Sequence, residues 1–197
     1  MGAIDADEIA QFVAGNPGQG TVDEYRYLHD IIAKRAPCRL LIFGVGRDSK
    51  LWVRTNEGGT TVFVEHEPEW IALTQRDLPT TRIVRVRYGT RRWQWWLLKE
   101  WPSLLWMRDL PADIAEAPWD VIFVDSPQGG KASRPGRMKS IYSASVIAAR
   151  GDGTQVLAHD CDRQVEQVYC DRYLGRERFV REIHKLRHYD FTSVGAK

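Results

Sequence analysis

No stretch of this chain approaches the ~20 apolar residues that a membrane-spanning helix needs, so no membrane partner is expected. The opening segment MGAIDADEIAQ is acidic and has no apolar run, so it does not read as a secretory leader. Cysteine is scarce: Cys38, Cys161 and Cys170, an odd number without a CxxC pair. That set argues against a disulfide framework and a structural zinc site. Reduced thiols suit the cytosol, and a cytoplasmic location is expected. The net charge is only +2, and no long basic run occurs, so nucleic acid is not an expected partner. Arg85, Arg87, Arg91 and Arg92 do cluster locally, either as a solvated strand edge or as a patch for an anionic ligand. Internal repeats, low-complexity tracts and linkers are all missing. The 197 residues therefore read as one domain, with N-terminal helices over 1–37, a catalytic core over 38–175 and a strand pair over 176–197. A homodimer is the default assembly.

What the chain does hold is an alternation of helix and strand patterns. Residues 5–14 read as a short helix. Thr21 opens a second with Glu24 three residues on, a capping box, and Pro37 follows its end. Residues 39–43 are apolar on both faces, as a central parallel strand requires. Asp48 or Ser49 caps the next helix, which stops at Gly58-Gly59. Strands are expected over 60–64, 82–87, 119–124 and 154–158. Helices are expected over 68–77, from the loop 126–136 to about 149, and from an Asp162 cap to about 174. Residues 178–193 read as two paired strands. Strict alternation implies an α/β fold, a doubly wound, mostly parallel seven-stranded sheet with helices on both faces. Such sheets bind ligands outside the carboxyl ends of their strands.

The polar residues worth singling out lie at those ends. Gly44-Val-Gly46 follows strand one, where glycine lets the backbone turn tightly beside a ligand. Glu65 ends strand two, where a carboxylate can accept both hydroxyls of a ribose. No glycine stands in GxGxxG register, since position 49 is Ser, so S-adenosylmethionine is preferred over a dinucleotide. Gly44, Gly46, Asp48, Ser49, Glu65, Glu67 and Tyr88 form the expected donor set, with Glu67 the alternative ribose ligand. Asp125, His159, Asp160 and Asp162 gather further carboxylates that repel unless a proton or cation joins them. Asp125, Asp160 and Asp162 are the expected ligands of a divalent cation, Mg²⁺ or Mn²⁺, which would lower the acceptor's pKa. His159, whose ordinary pKa is ~6.5, is the candidate general base, with Lys131 and Asp125 competing. Arg134, Arg137 and Tyr142 are expected on the acceptor side. Eight tryptophans are present, with Trp93, Trp95, Trp96 and Trp101 crowded together. Trp93 and Trp96 offer flat faces for a sugar, or else ordinary packing or a dimer contact.

Several blocks occur in an informative order: Phe43-Gly-Val-Gly-Arg-Asp-Ser-Lys-Leu-Trp52, Gly58-Gly-Thr-Thr-Val-Phe-Val-Glu65, Asp120-Val-Ile-Phe-Val-Asp125-Ser-Pro, Pro135-Gly-Arg-Met138 with Ile141-Tyr142, and His159-Asp-Cys-Asp-Arg163 with Glu166 and Tyr169. Over about residues 38–175 the chain resembles the plant glucuronoxylan 4-O-methyltransferase family of polysaccharide-biosynthesis proteins. That resemblance implies a class I methyltransferase fold, S-adenosylmethionine as donor, a divalent cation and glucuronic acid on xylan as acceptor. It also implies that Gly44, Gly46, Asp48, Ser49 and Glu65 face the donor. Asp125, Arg137, His159, Asp160 and Asp162 would face acceptor and metal. Plant members carry a membrane anchor that is not read here, and the Trp-rich segment from Trp93 to Trp106 is not among the blocks that carry the resemblance. The expected acceptor is therefore a sugar hydroxyl of an intracellular oligo- or polysaccharide, methylmannose-type or glucuronic-acid-containing. A catechol-type methyltransferase and a non-catalytic binding module of the same fold are the alternatives.

Overall fold

The computed structural model describes residues 4–193. Helices α1 (Ala6–Gly15) and α2 (Val22–Ala33) precede a βα succession: β1 (Arg39–Phe43), α3 (Ser49–Thr55), β2 (Thr60–Glu65), α4 (Pro68–Asp77) and β3 (Arg82–Arg85). The Trp-rich segment then forms short 3₁₀ turns on either side of α5 (Trp95–Leu98), and α6 (Ala112–Ala115) follows. The second half runs β4 (Val121–Val124), α7 (Met138–Ala148), β5 (Gln155–Ala158), α8 (Gln164–Tyr169), β6 (Phe179–Ile183) and β7 (Leu186–Asp190).

All seven strands join one sheet in the order β3-β2-β1-β4-β5-β7-β6. The first five are parallel and β7 runs antiparallel to β5. The sheet and its helices give the α/β doubly wound architecture that the alternation predicts. Successive residues of β1 explain the two-sided apolar run. Leu41 and Phe43 pack into the layer of α7, while Leu40 and Ile42 pack under α2 and α3. β4 divides the same way, with Ile122 and Val124 on the first side and Val121 and Phe123 on the second. Burial on both faces is what a central parallel strand requires.

The strand order reverses between β1 and β4, which both leave the sheet at their carboxyl ends. Loops diverge there and open a crevice. The capping box forms as expected: Glu24 Nα meets Thr21 Oγ1, and Glu24 Oε2 takes the Thr21 backbone N–H. Two expected caps do not form. Asp48 sits at the start of α3, but its carboxylate turns to Trp52 and Tyr25. α8 begins two residues beyond Asp162, with Arg163 at its cap position.

Candidate active site

The crevice between the ends of β1 and β4 is a cleft of about 380 Å³. Gly44, Gly46, Asp48, Glu65, Glu67, Asp125, Arg137, His159 and Asp160, distant along the chain, all line it.

Gly44 sits at φ +119°, and a Cβ there would stand 2.8 Å from the Ser126 Cβ. The β1 and β4 loops approach this closely only because no side chain intervenes. Gly44→Ala should cost about 1–3 kcal/mol of stability through backbone strain alone. Thermal unfolding should show a lowered midpoint; an unchanged one would mean that the loop has another relaxed path.

Glu65 is almost fully buried. Its Oε2 accepts the Val45 N–H at 3.1 Å, and its Oε1 accepts the backbone N–H groups of His66 and Glu67 and faces the His66 ring. Burial pushes its pKa up, but these hydrogen bonds, His66 first, outweigh burial and hold it below the usual carboxylate range. The carboxylate thus fixes the Gly-Val-Gly loop and keeps lone-pair capacity on Oε2. Asp48 differs: burial and then the Asp125 charge raise its pKa to about 6, against the Trp52 indole N–H donated at 3.0 Å.

At the other end of the cleft charges alternate. Arg137, nearly buried, places one guanidinium nitrogen 2.9 Å from Asp125 Oδ1 and 2.6 Å from Asp160 Oδ2. Arg163 also reaches Asp160 Oδ2, at 2.8 Å. His159 lies between Asp125 Oδ1, 3.1 Å from Nδ1, and Glu24 Oε1, 3.5 Å from Nε2. Burial lowers its pKa, but the hydrogen bonds to Asp125 and Glu24 prevail and push it up to about 10. At neutral pH the ring of the free protein therefore holds a proton already. Its expected role as a ready base at ~6.5 needs this correction, and the cause is Asp125 first and then a second carboxylate, Glu24 from α2. Asp125 has the reverse balance: burial raises its pKa, while Arg137 and then His159 hold it below the usual range.

Donor atoms of Asp125, His159 and Asp160 lie within 4.8 Å of one another, a spacing compatible with one cation. The two carboxylates are hard oxygen donors that suit Mg²⁺ or Mn²⁺, while the imidazole is a borderline donor. Arg137 engages Asp125 Oδ1 and Asp160 Oδ2, which leaves Asp125 Oδ2 and Asp160 Oδ1 for an ion. Ligation by His159 needs a neutral ring, so an ion there would displace the proton that the carboxylates hold.

Other expected site residues fall outside this constellation. Asp162 points outward, 3.7 Å from Lys185 Nζ, and is not among the clustered donors. Asp160 adopts φ +62°, and the chain turns between the two carboxylates. Lys131 is exposed on the loop after β4 and does not line the cleft. Arg134 on the same loop reaches Glu67 Oε1 at 3.8 Å, at the cleft's margin. Ser49 spends its hydroxyl accepting the Gly46 N–H at 3.0 Å. Tyr88 is buried behind the rim, edge-on to His66 and 3.2 Å from Ser140 Oγ. Tyr142 packs edge-on against Tyr173 in the α7 layer. Trp93 and Trp96 are exposed and line no part of the cleft.

Sequence reasoning passed over Trp70, Arg163, Gln19 and Phe123, which line the cleft, and Glu24, which braces His159. Trp70 had a usable signal, since it falls in the first turn of the helix that follows Glu65-His66-Glu67.

Comparison with known proteins points one way. The model of a family described as IRX15/IRX15L/GXM matches residues 23–100 and 97–189. Arabinogalactan O-methyltransferase 2 of Arabidopsis thaliana is 34% identical over 89% of this chain and 68% of its own. Glucuronoxylan 4-O-methyltransferase 3 of the same plant is 33% identical over 98% of this chain and 71% of its own. Protein IRREGULAR XYLEM 15, also from that plant and 33% identical over 84% of this chain and 59% of its own, carries a name that states no activity. Among solved structures, a putative caffeoyl-CoA O-methyltransferase from Staphylococcus aureus aligns with TM-score 0.59, 11% identity and coverage of 95% and 92%. A SAM-dependent O-methyltransferase from Thermotoga maritima aligns with TM-score 0.56, 12% identity and coverage of 96% and 72%. These two establish the fold, that of class I methyltransferases. Among the described residues no helix is long and apolar enough to cross a membrane.

Proposed function

This chain belongs to the IRX15/IRX15L/GXM family, and from that premise we propose that it is an S-adenosylmethionine-dependent O-methyltransferase acting on a sugar hydroxyl of an oligo- or polysaccharide. The observation that carries the reading is the convergence of Gly44, Glu65, Asp125 and His159 on one cleft at the carboxyl edge of the sheet. The names of two relatives, which specify arabinogalactan and glucuronoxylan, support a sugar acceptor. The three buried free cysteines suit a reducing compartment, and we place the reaction in the cytoplasm.

The donor supplies a methyl group on a sulfonium centre. Glu65 Oε2 would accept a ribose hydroxyl, Trp70 would offer a flat face to the adenine, and the Gly44-Val-Gly46 loop would bring backbone beside the methionine portion. At the far end Asp125 holds the acceptor hydroxyl, with His159 and Arg137 fixing its carboxylate. The hydroxyl oxygen would attack the methyl carbon in line as the C–S bond breaks, and the Asp125 carboxylate, since His159 already carries a proton, would take the hydroxyl proton. Positioning is the main contribution of such a site.

Asp125, Asp160 and His159 would hold the divalent ion, which would lower the pKa of the acceptor hydroxyl there. Turnover should fall at least about tenfold in EDTA and return with Mg²⁺ or Mn²⁺. Equal rates with and without chelator would leave Arg137 and His159 as the site's own cations.

Glu65→Ala should weaken donor binding about 10–100-fold, the loss of a charge-assisted hydrogen bond. Calorimetric titration with S-adenosylhomocysteine reads this directly. Unchanged affinity would move the ribose contact to Glu67. The proposal as a whole is tested with labelled donor and a panel of uronic, manno- and gluco-oligosaccharides and simple phenols, read by mass spectrometry. Methylation of an oligosaccharide is the expected result. Methylation of the phenols alone would overturn it.

A further inference from the structure

The segment 91–98 turns its apolar residues the wrong way for a helix that only closes a core. Trp95 and Leu98 pack inward, and the segment is pinned from outside itself: Tyr169 donates its hydroxyl to the Trp95 carbonyl and Tyr173 donates to the Lys99 carbonyl. Trp93, Trp96 and Leu97, at i, i+3 and i+4, therefore share the opposite face. They are 51%, 56% and 46% exposed. An outward face is ordinarily polar. Exposed apolar side chains grouped on one side of a segment pinned in this way point to a binding surface.

Two further observations say what it binds. The first is charge. Arg85, Arg87, Arg91 and Lys131 are exposed, and none has an ion-pair partner among the described residues. Residues 85–92 and 128–139 contain no acidic side chain, and the two segments are stitched together. Arg92 donates its backbone N–H to the Arg134 carbonyl, Trp93 donates to Ala132, and Thr90 Oγ1 donates to Pro135. The second is place. The stitched loop starts at Ser126 and Gln128, which line the cleft, and Arg134 reaches the cleft residue Glu67. The aromatic face and its unpaired cations are thus fixed to the cleft's own rim.

We propose that Trp93 and Trp96, with Arg91 and Lys131, form a distal subsite for a carboxylate-bearing polysaccharide chain whose acceptor sugar occupies the cleft. The rings stack on the C–H faces of sugars further along the chain. The guanidinium and ammonium groups pair with uronic carboxylates. The surface thus selects for chain length and for negative charge. This inference rests on the reading that the cleft takes a sugar acceptor, and its test keeps the two apart.

Binding is measured without donor, by tryptophan fluorescence and calorimetry, using glucuronic-acid-bearing oligosaccharides of two and of eight sugars, a neutral eight-sugar chain, and an oligouridylate. The charged octamer should bind the wild type at least about tenfold more tightly than the dimer or the neutral chain. Trp93→Ala with Trp96→Ala should abolish the advantage of length. Arg91→Gln with Lys131→Gln should abolish the advantage of charge. All four positions are exposed, and circular dichroism checks that each variant is folded. Equal affinity for dimer and octamer in the wild type, or an octamer advantage that survives the tryptophan changes, overturns the proposal. Tighter binding of the oligouridylate also overturns it and makes the face a nucleic-acid surface. Octamer binding with no methylation of any sugar would sustain this subsite while removing the proposed reaction.

Discussion

Asp125→Asn should lower kcat by about 10²–10⁴-fold while S-adenosylhomocysteine binds nearly as well as before. The amide keeps the shape of the carboxylate but loses its charge and nearly all its basicity. It also turns an acceptor shared by Arg137 and His159 into a group that offers them N–H. Glu65 and the Gly44 loop lie on neighbouring strand ends and keep their own hydrogen bonds. The expected pattern is therefore a fall in kcat without a matching loss of donor affinity, the mark of an interaction used in the transition state. Wild-type turnover in this variant would remove Asp125 from the chemistry. Loss of donor binding in parallel would mean that the cleft ends are not separable.

Arg137 should be the most costly residue of the site to remove. The residue is 4% exposed and its guanidinium bridges Asp125 and Asp160, with Glu166 buried nearby. Arg137→Met keeps the side-chain length but leaves those carboxylates short of a cation. Breaking a buried pair from one side costs about 3–5 kcal/mol. At about 2–4 °C per kcal/mol for a chain of this size, the unfolding midpoint should drop by about 6–20 °C. The pH dependence follows from Asp125, whose pKa in the folded protein lies below its unfolded value because Arg137 and then His159 favour the anion over the opposing effect of burial. That contribution is present above the unfolded carboxylate pKa and is lost as pH falls through the folded one. The difference between wild type and Arg137→Met should therefore be largest near neutrality and shrink toward pH 4 and below. A difference independent of pH would assign Arg137 to packing alone.

Much of this was legible in the sequence, for a physical reason. Parallel strands buried on both faces announce themselves as apolar runs, and the polar residue that ends each run must stand at the sheet's edge. Glu65, Asp125 and His159 were found that way. What the sequence hid came from elements that reach the edge from elsewhere. Glu24 reads fully as half of a capping box, and one carboxylate oxygen does serve Thr21. Its other oxygen takes the Lys185 N–H and faces His159, contacts across 161 and 135 residues that no local pattern encodes. That neighbour adds to Asp125 in holding the proton on the imidazole. Asp162 failed for the opposite reason. It follows Asp160 by two positions and so reads as close by, but the chain has already turned at Asp160. Lys131 and Arg134 sit in a loop whose path no periodicity fixes.

The most direct test of the account is calorimetric titration of the wild-type chain with S-adenosylhomocysteine, alongside Glu65→Ala and Asp125→Asn. One saturable site, weakened by the first substitution and nearly untouched by the second, is the result expected of a donor pocket at the β1–β2 end of the cleft. No heat at millimolar ligand, or equal weakening by both substitutions, would contradict it.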